Sequence, residues 1–226
     1  MTARSILCSC LLAPGAFASD GAPPGYSGIP FHDSAYKGGP QGIPGRVQCA
    51  YFDLGGEGVA YHTSDTRNHG SGELNPANGS YLNEFRMNEA IGTSYTKFHD
   101  AIDRNPFNLV QPPEGQLYVG WTTPGEWINM TVVVERAGTY TVDLLYTSNR
   151  GGDISLDLDG RPLTSALGVL STRSADETVP WRQWHHWNLM RAIAEVYLPE
   201  GKNVLTLHVL TQGNMNLAWL DFERKG

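Results

Sequence analysis

Apolar and polar residues alternate in short runs through the last hundred residues of the chain. The runs Trp127–Arg136, Thr139–Thr147, Asp153–Leu158, Glu195–Leu198, Val204–Leu210 and Leu217–Phe222 each predict a strand. Asp159-Gly160 and Pro199-Glu200-Gly201 supply turn chemistry between neighbouring runs, and Gly55-Gly56 and Gly151-Gly152 read as further turns. Little of the chain follows a helical period. Short strands separated by tight turns predict an all-β fold, an antiparallel β-sandwich or jelly roll.

Two stretches interrupt this pattern. Residues 19–45 are rich in Gly, Pro, Ser and Asp and read as a linker or arm, with Phe31, Tyr36 and Ile43 available to pack on the domain. Residues 66–117 are polar, carry Pro112-Pro113 and show only short apolar runs, with a short helix expected around Ser94–Ile102. They read as an insertion in a sandwich spanning 46–226. Residues 1–18 have the form of a secretory signal: Arg4, an apolar stretch from Ile6 to Phe17, and Ala16-Phe17-Ala18 as a small-x-small cleavage pattern. Leu7-Cys8-Ser9-Cys10 faintly resembles a lipoprotein box but lies before the apolar stretch is complete. The expected location is secreted or periplasmic, and no other apolar run has the length of a membrane span.

Composition narrows the function. The 226 residues include 26 glycines, 14 prolines, 6 tryptophans and 10 tyrosines, with 17% charged residues and a net charge of −7. That balance argues against nucleic-acid binding, which rests on Lys and Arg neutralising phosphates. Loss of residues 1–18 would remove Arg4, Cys8 and Cys10, leaving a slightly more acidic chain with Cys49 as its one thiol. A lone thiol forms no internal disulfide. The aromatic content exceeds what a core of this size requires.

Several ordered blocks carry a family resemblance: Gly55–His62, Val119-Gly120-Trp121 through Trp127, Ala137–Val142, Trp184-His185-His186-Trp187, Leu198–Gly201, and Asn214-Met215-Asn216 through Phe222. Together they resemble family 6 carbohydrate-binding modules. The resemblance implies a galactose-binding-like β-sandwich that accompanies secreted glycoside hydrolases acting on plant or algal polysaccharides. It also implies a loop-lined cleft holding a sugar between two aromatic rings with an asparagine nearby. Those roles map onto Trp121, Trp184 and Asn216, with Trp181 as the alternative to Trp184 because Trp181-Arg182-Gln183-Trp184 repeats the spacing. The chemistry suits these residue types. A pyranose offers C–H groups on its faces to flat rings and hydroxyls on its rim to amides. Trp127 and Trp219 fall within strand patterns and are expected in the core.

The resemblance further implies a structural calcium, from which this chain departs. The expected oxygen ligands are replaced at Ala50 (Gln48-Cys49-Ala50) and at Ala218 (Leu217-Ala218-Trp219). Calcium needs several oxygen ligands, so the site is expected to be lost and no cofactor is expected, with Asp53, Glu57 and Asp221 the remaining carboxylates for another geometry. Catalysis is not expected: Glu57, Asp65, Glu73 and Glu126 show no pairing in the sequence, and no Gly-x-Ser-x-Gly elbow occurs. Adjacent His185 and His186 would point to opposite sides of a strand, so no metal site is expected. The reading is therefore a secreted, non-catalytic polysaccharide- or oligosaccharide-binding module. The alternative is a cell-surface accessory protein whose cleft has been remodelled for a protein or cell-wall partner.

Overall fold

The computed structural model describes residues 19–20 and 23–226, so the expected signal at 1–18 lies outside the described residues. Two sheets face one another. The first runs in the order Arg161–Pro162, Gly152–Leu158, Gly201–Thr211, Trp127–Val134, Gln41–Ile43, with Leu167–Val169, Tyr61–His62 and Ser19–Asp20 attached. The second runs Asn188–Leu198, Gly138–Ser148, Met215–Arg224, Leu117–Val119, Thr93–Tyr95, with Gly45–Gln48 beside Met215–Arg224. Pairing within both is antiparallel except where Gln41–Ile43 joins Trp127–Val134 and Ser19–Asp20 joins Gly201–Thr211. This is the expected antiparallel β-sandwich, and all six strand predictions fall on strands.

Alternation explains the core. Ile128, Met130, Val132 and Val134 point inward from one sheet and meet Val142, Leu144 and Tyr146 from the other, all essentially without solvent exposure. In the last strand the phase would drift, but it is reset. Leu145 pairs with Trp219 and Tyr146 with Leu217, so Ala218 is an extra, bulged residue. Met215, Leu217, Leu220 and Phe222 therefore all reach the core, while Ala218 and Trp219 join a second cluster with Tyr118, Leu145 and Trp187. The Arg46 guanidinium covers the Trp219 ring at 4.5 Å.

Three expectations need correction. The sandwich begins before residue 46: Gln41–Ile43 is already a strand, and the chain crosses between the sheets within a few residues, so only the part before Gln41 is an arm. That arm packs with Phe31 buried against Tyr51 at 5.1 Å, while Ile43, also expected to pack, is fully inside as part of the strand. The stretch 66–117 is not a simple appendage, since Thr93–Tyr95 forms the edge of the second sheet beside Leu117–Val119 and Ile91 enters the main core. The helix expected at 94–102 is absent. The α-helical turn is Tyr81–Glu84, and His99–Ala101 is a single 3-10 turn. Buried Asp103 captures the Lys97 amide, and this local bond favours a turn over a continuing helix.

Trp219 is buried as expected, whereas Trp127 is only half-buried, its ring 6.2 Å from that of His62. Cys49 is fully buried, and burial pushes its thiol up to about 12. Among the described residues no helix is long and apolar enough to cross a membrane.

Candidate functional site

The loops at one end of the second sheet enclose a cleft of about 720 Å³. Trp121 follows the strand Leu117–Val119, Trp184 precedes Asn188–Leu198, and Asn214 and Asn216 lie at the start of Met215–Arg224. The register pairs Val119 with Leu217, Tyr146 with Asn188 and Ser148 with Met215, which brings these ends together. All four residues singled out from sequence, Trp121, Trp181, Trp184 and Asn216, line this one cleft.

Trp121 is held in a left-handed backbone conformation at φ 53°, a geometry that costs about 1–2 kcal/mol for a residue with a side chain. Its neighbours impose it. Gly120 donates its N–H to the Gly92 carbonyl at 2.9 Å, and Asn214 donates to the Thr122 carbonyl at 2.6 Å. Thr122 bonds to both the amide and the carbonyl of Met215 through its hydroxyl. Glycines then floor the indole: a Cβ on Gly70 would lie 2.7 Å from Trp121 Cζ3, and one on Gly92 3.1 Å from Cε3. Neither Trp121 nor Trp184 stacks on another ring among the described residues, and both line the cleft.

Trp184 ends the 3-10 helix Pro180–Trp184. Its carbonyl accepts hydrogen bonds from Asn216 Nδ2 at 2.7 Å and from the Thr147 hydroxyl at 2.6 Å. Asn216 keeps its Oδ1 without a hydrogen bond among the described residues. Trp181 is half exposed at 49%, its ring edge-on to His185 at 5.8 Å. Trp187 is fully buried and donates its indole N–H to Asp103 Oδ1 at 2.7 Å. Of the two W-x-x-W spacings, the tryptophans that reach the cleft are thus 181 and 184.

Asp103 joins the two walls of the cleft. Oδ1 accepts from both Trp187 Nε1 and His185 Nδ1 (2.8 Å), while Oδ2 accepts from the Lys97 amide at 2.7 Å. Asn105 Nδ2 donates to the His185 carbonyl, and Leu109 and Val110 both donate to that of Trp187. His185 lines the cleft while His186 is buried with its Nδ1 on the Thr172 carbonyl; they diverge in the loop between Trp184 and the strand Asn188–Leu198, not on a strand as expected.

Sequence reasoning missed the opposite wall. Asn75, Asn83, Tyr95 and Lys97 line it, all from the polar stretch that offered no periodic signal. Lys97 donates through Nζ to Asn75 Oδ1, and its ammonium lies 4.7 Å from the centre of the Tyr95 ring. Tyr95 in turn donates to Asn83 Oδ1 at 2.8 Å. Burial lowers the Lys97 pKa, with the Asp103 charge opposing. No Asp or Glu side chain is among those lining the cleft.

The carboxylates considered from sequence lie elsewhere. Glu57 contacts His62, Glu73 pairs with Arg67 at 3.0 Å, and Asp65 approaches His69 at 3.7 Å. Glu126 is buried against Thr63, which donates to it at 3.0 Å, and burial pushes its carboxyl up to about 8. Ala50 and Ala218 are fully buried in two different apolar clusters, Ala50 with Phe31, Phe85 and Leu117. Asp53 is committed to Tyr26 and Thr131, and Asp221 to Arg46. Among the described residues no cluster of three or more His, Cys, Asp or Glu is placed to hold a metal.

Comparison with known proteins places the chain in a family. No curated protein sequence matches it. Solved structures do. They include a β-1,3-glucan binding family 6 module from Bacillus halodurans (17% identity, 81% of this chain and 98% of that one, TM-score 0.45). Another is a carbohydrate binding module of Cellvibrio mixtus lichenase 5A, in complex with cellotriose (17% identity, 60% and 88%, TM-score 0.44). A family 35 module from Clostridium thermocellum also matches (19% identity, 49% and 80%, TM-score 0.40). The model of the family described as "Carbohydrate binding module (family 6)" matches residues 107–224. That match takes in Trp121, Trp184 and Asn216 and just over half of the chain, which therefore belongs to family 6 of the carbohydrate-binding modules.

Proposed function

We propose that the cleft holds a polysaccharide or oligosaccharide segment, with sugar faces against Trp121 and Trp184 and rim hydroxyls on the amides of Asn214 and Asn216. The observation that carries this reading is convergence. Tryptophans separated by some sixty positions and two asparagines of the terminal motif share one cleft, and neither Trp121 nor Trp184 stacks on another ring among the described residues. Each aromatic contact contributes about 0.5–1.5 kcal/mol beyond area burial and each net hydrogen bond a similar amount. Affinity in roughly the micromolar to millimolar range follows once association costs are subtracted.

The module acts by binding alone, in this reading. Glycoside hydrolysis needs two carboxylates about 5–9.5 Å apart across the scissile bond, and the cleft lining offers amides, rings and cations instead. Export, a plant or algal polysaccharide and a partner glycoside hydrolase complete the proposal, motivated by the 1–18 pattern and by family membership. Affinity electrophoresis and calorimetry across a glycan panel, with Trp121→Ala and Trp184→Ala, test it. Each variant is expected to weaken binding about tenfold or more. Full binding in both variants, or sugar release from the bound polymer, would overturn the assignment.

A further inference from the structure

The cleft has a sign. The chain as a whole is acidic, with 23 Asp and Glu against 16 Lys and Arg. Yet the Lys97 ammonium lines the cleft, and no Asp or Glu is among the lining residues. Arg182 stands next to it, 5.5 Å from the Trp181 ring, but its charge is paired with Glu177 at 3.6 Å, so Lys97 is the cation the cleft offers. Asp103, behind the lining, has its oxygens occupied by Lys97 N–H, His185 and Trp187.

Neutral sugars do not require this arrangement. Their hydroxyls are already provided for by the asparagine amides, whereas drawing an ammonium partly out of water is costly unless an anion meets it. Lys97 directs one N–H at Asn75 and sits against the Tyr95 ring, which fixes its head while leaving donors for a ligand. The wall that bears it, residues 74–102, lies outside the 107–224 segment matched by the family model. The wall that bears Lys97 is therefore separate in sequence from the aromatic pair.

We propose that the cleft selects an acidic glycan, with Lys97 pairing the anionic group, a carboxylate or a sulfate ester, of a sugar bound between the tryptophans. This inference rests on the cleft being the sugar site. The anion sits on the side of residues 74–102, and the rings and Asn216 hold the pyranose from the other side. Charge-assisted hydrogen bonds are about twice as strong as neutral ones, so the anion sets preference while the rings supply general affinity.

Matched glycan pairs test this. Oligosaccharides of polygalacturonate and alginate are titrated beside their carboxyl-reduced counterparts, and those of a carrageenan beside its desulfated product. At least one acidic member is expected to bind about tenfold tighter than its neutral partner. The pair that shows the preference distinguishes carboxylate from sulfate. Lys97→Gln should abolish the preference and Lys97→Arg restore it. Independently of any variant, the side-chain Cε resonance of Lys97, one of four lysines, should shift with the acidic ligand only. Neutral glycans bound as well as acidic ones, with Trp121 still required, would overturn the charge inference and leave the sugar site standing. Absence of binding to every glycan would overturn both.

Discussion

Asn216 donates its side-chain amide to the main-chain carbonyl of Trp184 at 2.7 Å, thirty-two residues earlier in the chain. The residue expected to touch sugar thus also fixes the tryptophan expected to stack on it. Asn216→Ala should therefore lose more than one sugar hydrogen bond, and an affinity loss of about tenfold to thirtyfold is expected by calorimetry. In a double-mutant cycle with Trp184→Ala the losses should fall short of additivity. Strict additivity would show that the two act separately.

Gly92 tests whether the floor beneath Trp121 matters. A methyl there would lie 2.7 Å from the Gly120 carbonyl and 3.1–3.2 Å from the indole. Overpacking of this kind costs about 1–3 kcal/mol. Gly92→Ala should lower the urea midpoint and also weaken glycan binding, because backbone and ring must both shift. Gly56→Ala is no matched control, since Gly56 has φ +76°. Gly42→Ala is the better one, with open space where its Cβ would stand, and little change is expected there.

Glu126 predicts a pH dependence. Its folded pKa, about 8, lies above the ordinary 4.5. The folded state therefore holds a proton that the unfolded chain releases between these values. Stability is fully present below about pH 4.5, falls as pH rises towards 8, and levels off above it. For so large a shift the loss is on the order of a few kcal/mol. Glu126→Gln should flatten the curve of urea stability against pH between 5 and 9. An unchanged slope in the variant would remove Glu126 as the cause.

Ala50 and Ala218 predict indifference to calcium. Their methyls pack against aromatic and aliphatic side chains in separate clusters. Melting curves in chelator and in millimolar calcium should superimpose; a large calcium-dependent rise would place an ion somewhere these clusters do not allow.

How far the sequence carried these conclusions differs by region. Strands such as Trp127–Val134 were legible because one buried face imposes alternation on neighbours in sequence. Trp121, Trp184 and Asn216 were singled out through blocks that resemble a known family, and the structure brings all three to one cleft. The wall opposite was not legible. Lys97 meets Asn75 across 22 positions and Asp103 meets Trp187 across 84, and polar residues held by such distant partners leave no periodic trace. The bulge at Ala218 was hidden for a related reason. It allows Asn216 and Trp219, three apart, to leave the strand on the same face, which strict alternation forbids. Trp127 misled in the other direction, since a strand position at a sheet's end gives only half-burial.

Asp103 has a consequence for how fast and how cheaply the cleft can be filled. One carboxylate grips a main-chain amide from one wall and two side chains from the other. These bonds tie the two walls to one another without help from a ligand. An arriving chain need not wait for a rare open form, nor supply the entropy of ordering loops. Association should proceed in a single phase whose rate rises linearly with ligand concentration, with weak binding expressed as rapid departure.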